Sequence, residues 1–388
     1  MSDSITEVTR KSWFSRLKDS VMGTLFGLLL FLAAFVVLFW NEGRAVKTHK
    51  SLQEGAGIVV SVTNGSVDSA NEGNLIHVSG KAETSAELTD PLFDVTITGV
   101  RLTRKVEMLQ WKENSQSKTE KNLGGSTETT TTYSYEKVWS EKLIDSSGFK
   151  KPRKENNPAS MPFSSESWEA ENVSLGAFKL SKGQISGLSG SEAVELTKKN
   201  KIDKDIAGKA RPENGLMYLG SKKHNKIGDI RVTMLATYPG DVSIVAKQSG
   251  DSFSAYQTEV GGTIQMLSQS IKPASEMFDA AEAANTTMTW ILRFVGLMMM
   301  FIGLTMIVKI LSVIGDLIPF VGSIIGALTG FVAFLIALVL SLITIAIAWI
   351  FYRPLIAGIL IVVAIGLLVL AKMRAKPAED QAEAVPEG

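Results

Sequence analysis

Hydrophobic positions along the chain gather into four long runs, one near the N-terminus and three at the C-terminal end, around a polar window at residues 41–288. Val21–Trp40 holds twenty mostly apolar residues without a charge. It is too long for a signal-peptide core and no A-x-A site follows it, so it predicts a retained signal anchor at 21–40. The run at 289–313 carries Trp290 and Arg293 at one end and Lys309 at the other, where their polar heads reach the two interfaces. Residues 317–352 are free of charge and, as a helix rising 1.5 Å per residue, would be about 54 Å long, well beyond a ~30 Å hydrocarbon core. Residues 354–371 form the fourth run, set off by Arg353-Pro354, where proline ends one helix and starts the next.

Small residues form a second pattern within the longest run. Gly322, Gly326, Gly330, Ala333, Ala337, Ser341, Thr344 and Ala348 recur at steps of 4, 4, 3, 4, 4, 3 and 4. On an α-helix this 11-residue repeat keeps them on one stripe, a surface that lets a second helix approach closely where lipid offers no hydrophobic drive. Gly23 and Gly27 make a further GxxxG in the first span, a partner for that stripe.

The polar window reads mainly as strands. Gly57–Val62, Leu75–Ala82, Val95–Leu102 and Val106–Trp111 are short β-branched or alternating runs. Gly124-Gly125-Ser126 predicts a hairpin tip, with Tyr133, Tyr135 and Trp139 on the returning strand. The middle, residues 146–226, predicts loops and one short helix around Ser191–Lys198. After it, residues 229–268 carry four strand-like runs joined by Pro239-Gly240, Ser249-Gly250 and Gly261-Gly262, the pattern of an antiparallel meander. Pro273–Met288 turns to helix formers behind Ser275 and predicts a stalk running into the second span.

The expectation is therefore an integral membrane protein with four transmembrane α-helices, one N-terminal and three C-terminal. A large β-rich α+β extracytoplasmic domain lies between helices 1 and 2. Its boundaries are a cytoplasmic segment at 1–20, spans at 21–40, 289–313, 317–352 and 354–371, the domain at 41–288, and a disordered cytoplasmic tail at 372–388. Basic flanks on the first and last spans favour cytoplasmic termini, and Trp13 and Phe14 suggest a short interfacial amphipathic segment before the first span.

Charge narrows the function. The window 41–288 holds 30 of the 40 Lys and Arg and 31 of the 39 Asp and Glu, so it is close to neutral and does not suggest nucleic acid as a partner. The chain has no cysteine, and its three histidines, His49, His77 and His224, lack ligand spacing. No catalytic, metal or cofactor constellation is expected from these residues. Hydroxyls at depth, Thr305, Ser323, Thr329, Ser341 and Thr344, leave an oligomeric pore built from the C-terminal helices as the alternative to a non-enzymatic scaffold. At the outer interface, Glu42 and Arg44 leave the first span at the depth of Arg293 and Arg353, which predicts a contact from Glu42 to Arg293 or Arg353.

Local strings add a resemblance. Asn41-Glu42-Gly43-Arg44-Ala45, Asn71-Glu72-Gly73, Val106-Glu107-Met108 with Gln110-Trp111, and Tyr133-Ser134-Tyr135 with Trp139 occur in order. They are followed by Asn157-Pro158, Gly228-Asp229, Gln248 with Gly250-Asp251, and Phe351-Tyr352-Arg353-Pro354-Leu355. With the layout of spans, they resemble the LUMA family, also called the transmembrane protein 43 family. That resemblance implies a membrane organiser of the endoplasmic reticulum and inner nuclear membrane, with the large domain lumenal, which associates with lamins and emerin and for which pore activity has been proposed. The absence of cysteine and the short tail also fit a bacterial member, with the domain in the periplasm. On either reading the expected partners are the lipid bilayer, further copies of the chain and other membrane proteins.

Overall fold

The first helix, α1, runs without a break through Trp13–Ile58, 46 residues that extend the apolar stretch at both ends. No proline interrupts it. The computed structural model describes residues 4–151, 155–197, 200, 210–315 and 319–374. Within these, the side chains of 311, 315, 319–329, 360, 361, 364, 368 and 371–374 lie outside the description. By contacts the chain divides into two units: residues 1–13 with 50–283, and residues 14–49 with 284–388.

The first unit is built on two sheets. In chain order its strands begin with β1 (Ser4–Lys11), β2 (Val60–Ser61), β3 (Leu75–Glu83), β4 (Glu87–Asp90), β5 (Val95–Thr98), β6 (Arg101–Lys121) and β7 (Thr127–Ser140). They continue with β8 (Glu166–Glu169), β9 (Ser174–Leu175), β10 (Phe178–Lys179), β11 (Glu192–Val194), β12 (Ala210–Glu213) and β13 (Leu216–Leu219). The last are β14 (Ile230–Thr237), β15 (Asp241–Ser249), β16 (Ser252–Ser254), β17 (Tyr256–Gln257), β18 (Thr263–Ile264) and β19 (Met266–Ser268). An eight-stranded sheet has the order β1-β7-β6-β14-β13-β12, with β8 on β6 and β11 on β14, and a seven-stranded sheet runs β19-β15-β16-β10-β9-β3-β2.

Each sheet covers a core of its own. Leu102, Val106, Met217, Val232 and Met234 are buried beside the first, and Ile76, Val78, Phe178, Ile244 and Phe253 beside the second. A short helix, α2 (Lys182–Gly187), caps the latter core with Ile185 and starts on a Ser181–Gln184 capping box. A third cluster joins Leu75, Val245 and Ile264 to Met277 and Phe278 near the start of the long helix α3 (Ala274–Gly315).

Several expectations are corrected here. Gly57 and Ile58 are the end of α1, not the start of a strand. The helix expected at 191–198 is replaced by β11, and the helix falls earlier, at α2. The meander at 229–268 does not form as one sheet: the turn at Pro239-Gly240 carries the chain from β14 in one sheet to β15 in the other. The expected strand Val106–Trp111 is the inner part of a 21-residue β6. Residues 4–11, expected as part of a cytoplasmic segment apart from the domain, form β1 and pair antiparallel with β7 from Ser4↔Ser134 to Lys11↔Thr127.

The second unit contains the apolar helices: the middle of α1, most of α3, α4 (Pro319–Tyr352) and α5 (Pro354–Arg374). Among the described residues three helices are long and apolar enough to cross a membrane, within Trp13–Ile58, Ala274–Ile314 and Gly330–Tyr352. Ala34, Leu38, Met300 and Ala337 are buried together where α1, α3 and α4 pack. The tail expected to be disordered, 372–388, lies outside the described residues from 375 on.

Candidate functional site

The polar residues that end the apolar part of α1 converge with one face of α3. Asn285, Thr289 and Arg293 are spaced by four and so share a side of that helix. Asn41 Nδ2 donates to the Thr289 carbonyl at 3.0 Å, and Asn285 Nδ2 donates to the Ala45 carbonyl at 3.1 Å. Arg44 donates to Asn285 Oδ1 at 3.2 Å, to Thr289 Oγ1 at 3.0 Å and to Asn41 Oδ1 at 3.3 Å. These bonds satisfy side chains that water does not reach: Asn41, Asn285 and Thr289 are all buried.

Glu42 sits at the centre. Arg293 grips it with two donors, Nε to Oε1 at 2.7 Å and Nη2 to Oε2 at 2.9 Å, and the Trp349 indole N–H donates to Oε2 at 2.8 Å. The Arg293 guanidinium also lies over the Trp290 ring, 4.7 Å from its centroid. One carboxylate thereby ties α1, α3 and α4. Glu42 takes Arg293 of its two expected partners; Arg353 stands instead over the Trp349 ring at 5.9 Å. Arg44 serves the neighbouring amide cluster. Beside it, a Cβ on Gly43 would stand 2.6 Å from the Tyr352 ring, so this glycine admits the end of α4.

The small-residue stripe divides. Ala333, Ala337, Ser341, Thr344 and Ala348 are buried within the chain, Ser341 donating to the Met300 sulfur at 3.6 Å. Gly330 has open space where a Cβ would stand, and the surroundings of Gly322 and Gly326 lie outside the description, as do those of Ser323 and Thr329. Gly23 and Gly27 meet α3 rather than the stripe: a Cβ on Gly27 would be 2.8 Å from the Gly303 carbonyl and 2.6 Å from Met306 Cβ. Thr305 and Thr344 return their hydroxyls to their own helices, at Ile302 and Leu340.

Trp349, Asn285 and Thr289 escaped the reading of the sequence. The spacing of Asn285, Thr289 and Arg293 carried a signal, since three polar residues at i, i+4 and i+8 entering an apolar run mark a face that needs partners. In the first unit the polar packing is structural. Arg104, nearly fully buried, bonds both Asp90 oxygens from Nη1 at 2.8 and 2.9 Å and Glu166 from Nη2 at 2.9 Å. Among the described residues no group of three or more His, Asp or Glu is arranged to hold a metal.

Comparison with known proteins follows this architecture. The family profile described as Transmembrane protein 43 matches residues 108–354. Mouse Transmembrane protein 43 is 33% identical over 381 residues, covering 95% of this chain and 94% of its own. The human protein is 33% identical over 377 residues, 94% and 93% of the two chains. The Drosophila melanogaster Transmembrane protein 43 homolog is 30% identical over 292 residues, 71% and 74%. No solved structure matches. With the profile spanning more than half the chain and the mammalian relatives nearly all of it, the chain belongs to the transmembrane protein 43 (LUMA) family.

Proposed function

We propose that this protein is a non-enzymatic membrane scaffold. It self-associates and holds partner membrane proteins through its β-rich domain, with a fourth span supplied by α5. The observation that carries this reading is the Glu42–Arg293–Trp349 cluster. Three helices share one buried carboxylate, so the membrane part is a fastened bundle and not a set of loose anchors. A fastened bundle keeps its three helices in fixed geometry, as a scaffold requires of its membrane part.

Helix association between copies falls on α4 at Gly330, which leaves open space; the described remainder of the stripe, Ala333 to Ala348, is occupied within the copy. The test is extraction of the protein from its native membrane in mild detergent, with sizing and mass spectrometry of what copurifies. Particles much larger than one chain, or stoichiometric membrane partners, are expected. A monomer that copurifies with nothing overturns the proposal.

A further inference from the structure

We propose that the ribbon β1-β7-β6 of one copy joins the ribbon of the next, the outer edge of β1 pairing in parallel with the outer edge of β6, so that neighbouring copies close a shared β-barrel. This rests on the self-association reading above and names the surface that carries it.

Among the described residues the two outer edges of the ribbon meet no further strand, and they lie at the same level. β6 and β7 pair without interruption from Met108↔Ser140 to Lys121↔Thr127, and β14 and β8 leave β6 by Met108. Beyond Asn114, therefore, the far edge of β6 meets no strand among the described residues. β1 likewise pairs only with β7. The registers align these edges: Ser4 is level with Ser134 and so with Asn114, and Thr9 with Thr129 and so with Thr119. β1 and β6 both run antiparallel to β7 and hence in the same direction. Edges that are level and share a direction are complementary in a head-to-tail contact, the type that closes a ring when the rotation permits.

Chemistry favours a second copy as the occupant. In its outer part, β1 with residues 114–121 and 127–134, the ribbon is mainly Ser, Thr, Lys and Glu, and its aliphatic residues Ile5 and Val8 fall on opposite faces, so a three-stranded piece of this kind gains little by itself. Closure supplies backbone hydrogen bonds to both open edges. One opposite-charge pair faces across the joint, next to the like-charged Lys11 and Lys121, with Glu120 also held by Lys118 of its own copy. Arg10 bonds Glu128 in its own copy, keeps its side chain 79% exposed, and is level with Glu120 of the β6 edge.

The chain has no cysteine, so introduced thiols are the only ones. Within one copy Thr9 and Thr119 are separated by β7, two strand spacings or about 9.6 Å, beyond the roughly 7 Å limit for a disulfide. The full-length double variants T9C/T119C and T9C/S117C, the second allowing a register shift of two, are oxidised in native membranes and run on non-reducing gels. Expected are covalent multimers up to the size of the native particle from a double variant, and monomers from T9C and T119C alone. Dimers from T9C alone would show β1 meeting β1 and overturn the proposal. Monomers from both double variants, with the native particle still oligomeric, would overturn the ribbon joint and leave self-association standing. A monomeric native particle overturns both.

Discussion

Glu42 and Arg293 form a two-pronged ion pair across α1 and α3, with the carboxylate fully buried and the Arg293 side chain 15% exposed. A charge so placed is held by its partners, not by solvent, which makes the cost of removing one partner larger than the net worth of the pair.

The first prediction follows from that asymmetry. Glu42→Ala leaves Arg293 buried without its carboxylate and is expected to cost about 3–5 kcal/mol. The double variant Glu42→Leu/Arg293→Met removes both charges and is expected to recover most of that loss. Thermal unfolding of the detergent-extracted protein, followed by tryptophan fluorescence, gives the comparison. A double variant no more stable than Glu42→Ala would show that the pair is not the unit that matters.

What the sequence made legible, and what it hid, divides along physical lines. Three apolar helices were readable because apolar length is counted directly against the bilayer, and the Glu42 partner because a charge at the end of an apolar run needs an opposite charge at the same depth. β6 was underestimated because Lys112–Lys121 lacks the apolar alternation that marks a half-buried strand; backbone pairing with β7 holds it instead. β1 was hidden for the same reason. The switch of sheets at Pro239-Gly240 was illegible since a turn between two strands looks alike whether or not they pair with each other. Trp349 was missed because nothing in the residue type marks a partner, and only geometry shows its N–H aimed at Glu42.

A close approach of α1 and α3 gives the second prediction. A Cβ on Gly303 would stand 2.8 Å from the Gly27 carbonyl oxygen and 2.8 Å from the Phe31 nitrogen, backbone atoms that no rotamer change moves. Gly303→Leu is therefore expected to part the helices and greatly lower the melting temperature. Gly330→Leu, built into open space, is expected to leave the stability of a single copy unchanged within about 0.5 kcal/mol. Equal effects of the two substitutions would contradict the packing.

A third prediction concerns the hydroxyls of α4. Ser341 is buried against Met300 inside the copy, so Ser341→Leu overpacks a filled site and is expected to cost about 1–3 kcal/mol. Ser341→Ala loses only a weak bond to sulfur and is expected to be near neutral. Any change in ion flux caused by Ser341→Leu in liposomes should then track its loss of folded protein, measured in parallel. A flux change at full folded yield would mean that Ser341 lines a path.

The last prediction is a pH dependence in the turn from Ser221 to Asp229. Burial alone would raise the Asp229 carboxyl, but it accepts from the Ser221 hydroxyl, the Ser221 N–H at 2.7 Å and the Lys226 N–H at 2.9 Å. These donors, with the nearby His224, outweigh burial and hold it below its ordinary value of 3.8. Gly220, at φ +124°, lets the carboxylate in: a Cβ there would be 2.3 Å from its Oδ1. Because the folded value lies below the unfolded one, the stabilisation is fully present above the unfolded pKa, about 3.9, and is lost as pH falls through the folded value. Asp229→Asn is thus expected to destabilise the protein at pH 7 by about 1–3 kcal/mol. The gap between variant and parent melting temperatures should narrow below pH ~4, while the other carboxylates titrate alike in both proteins. A gap that stays constant from pH 7 to pH 3.5 would show that geometry and not charge is what Asp229 contributes.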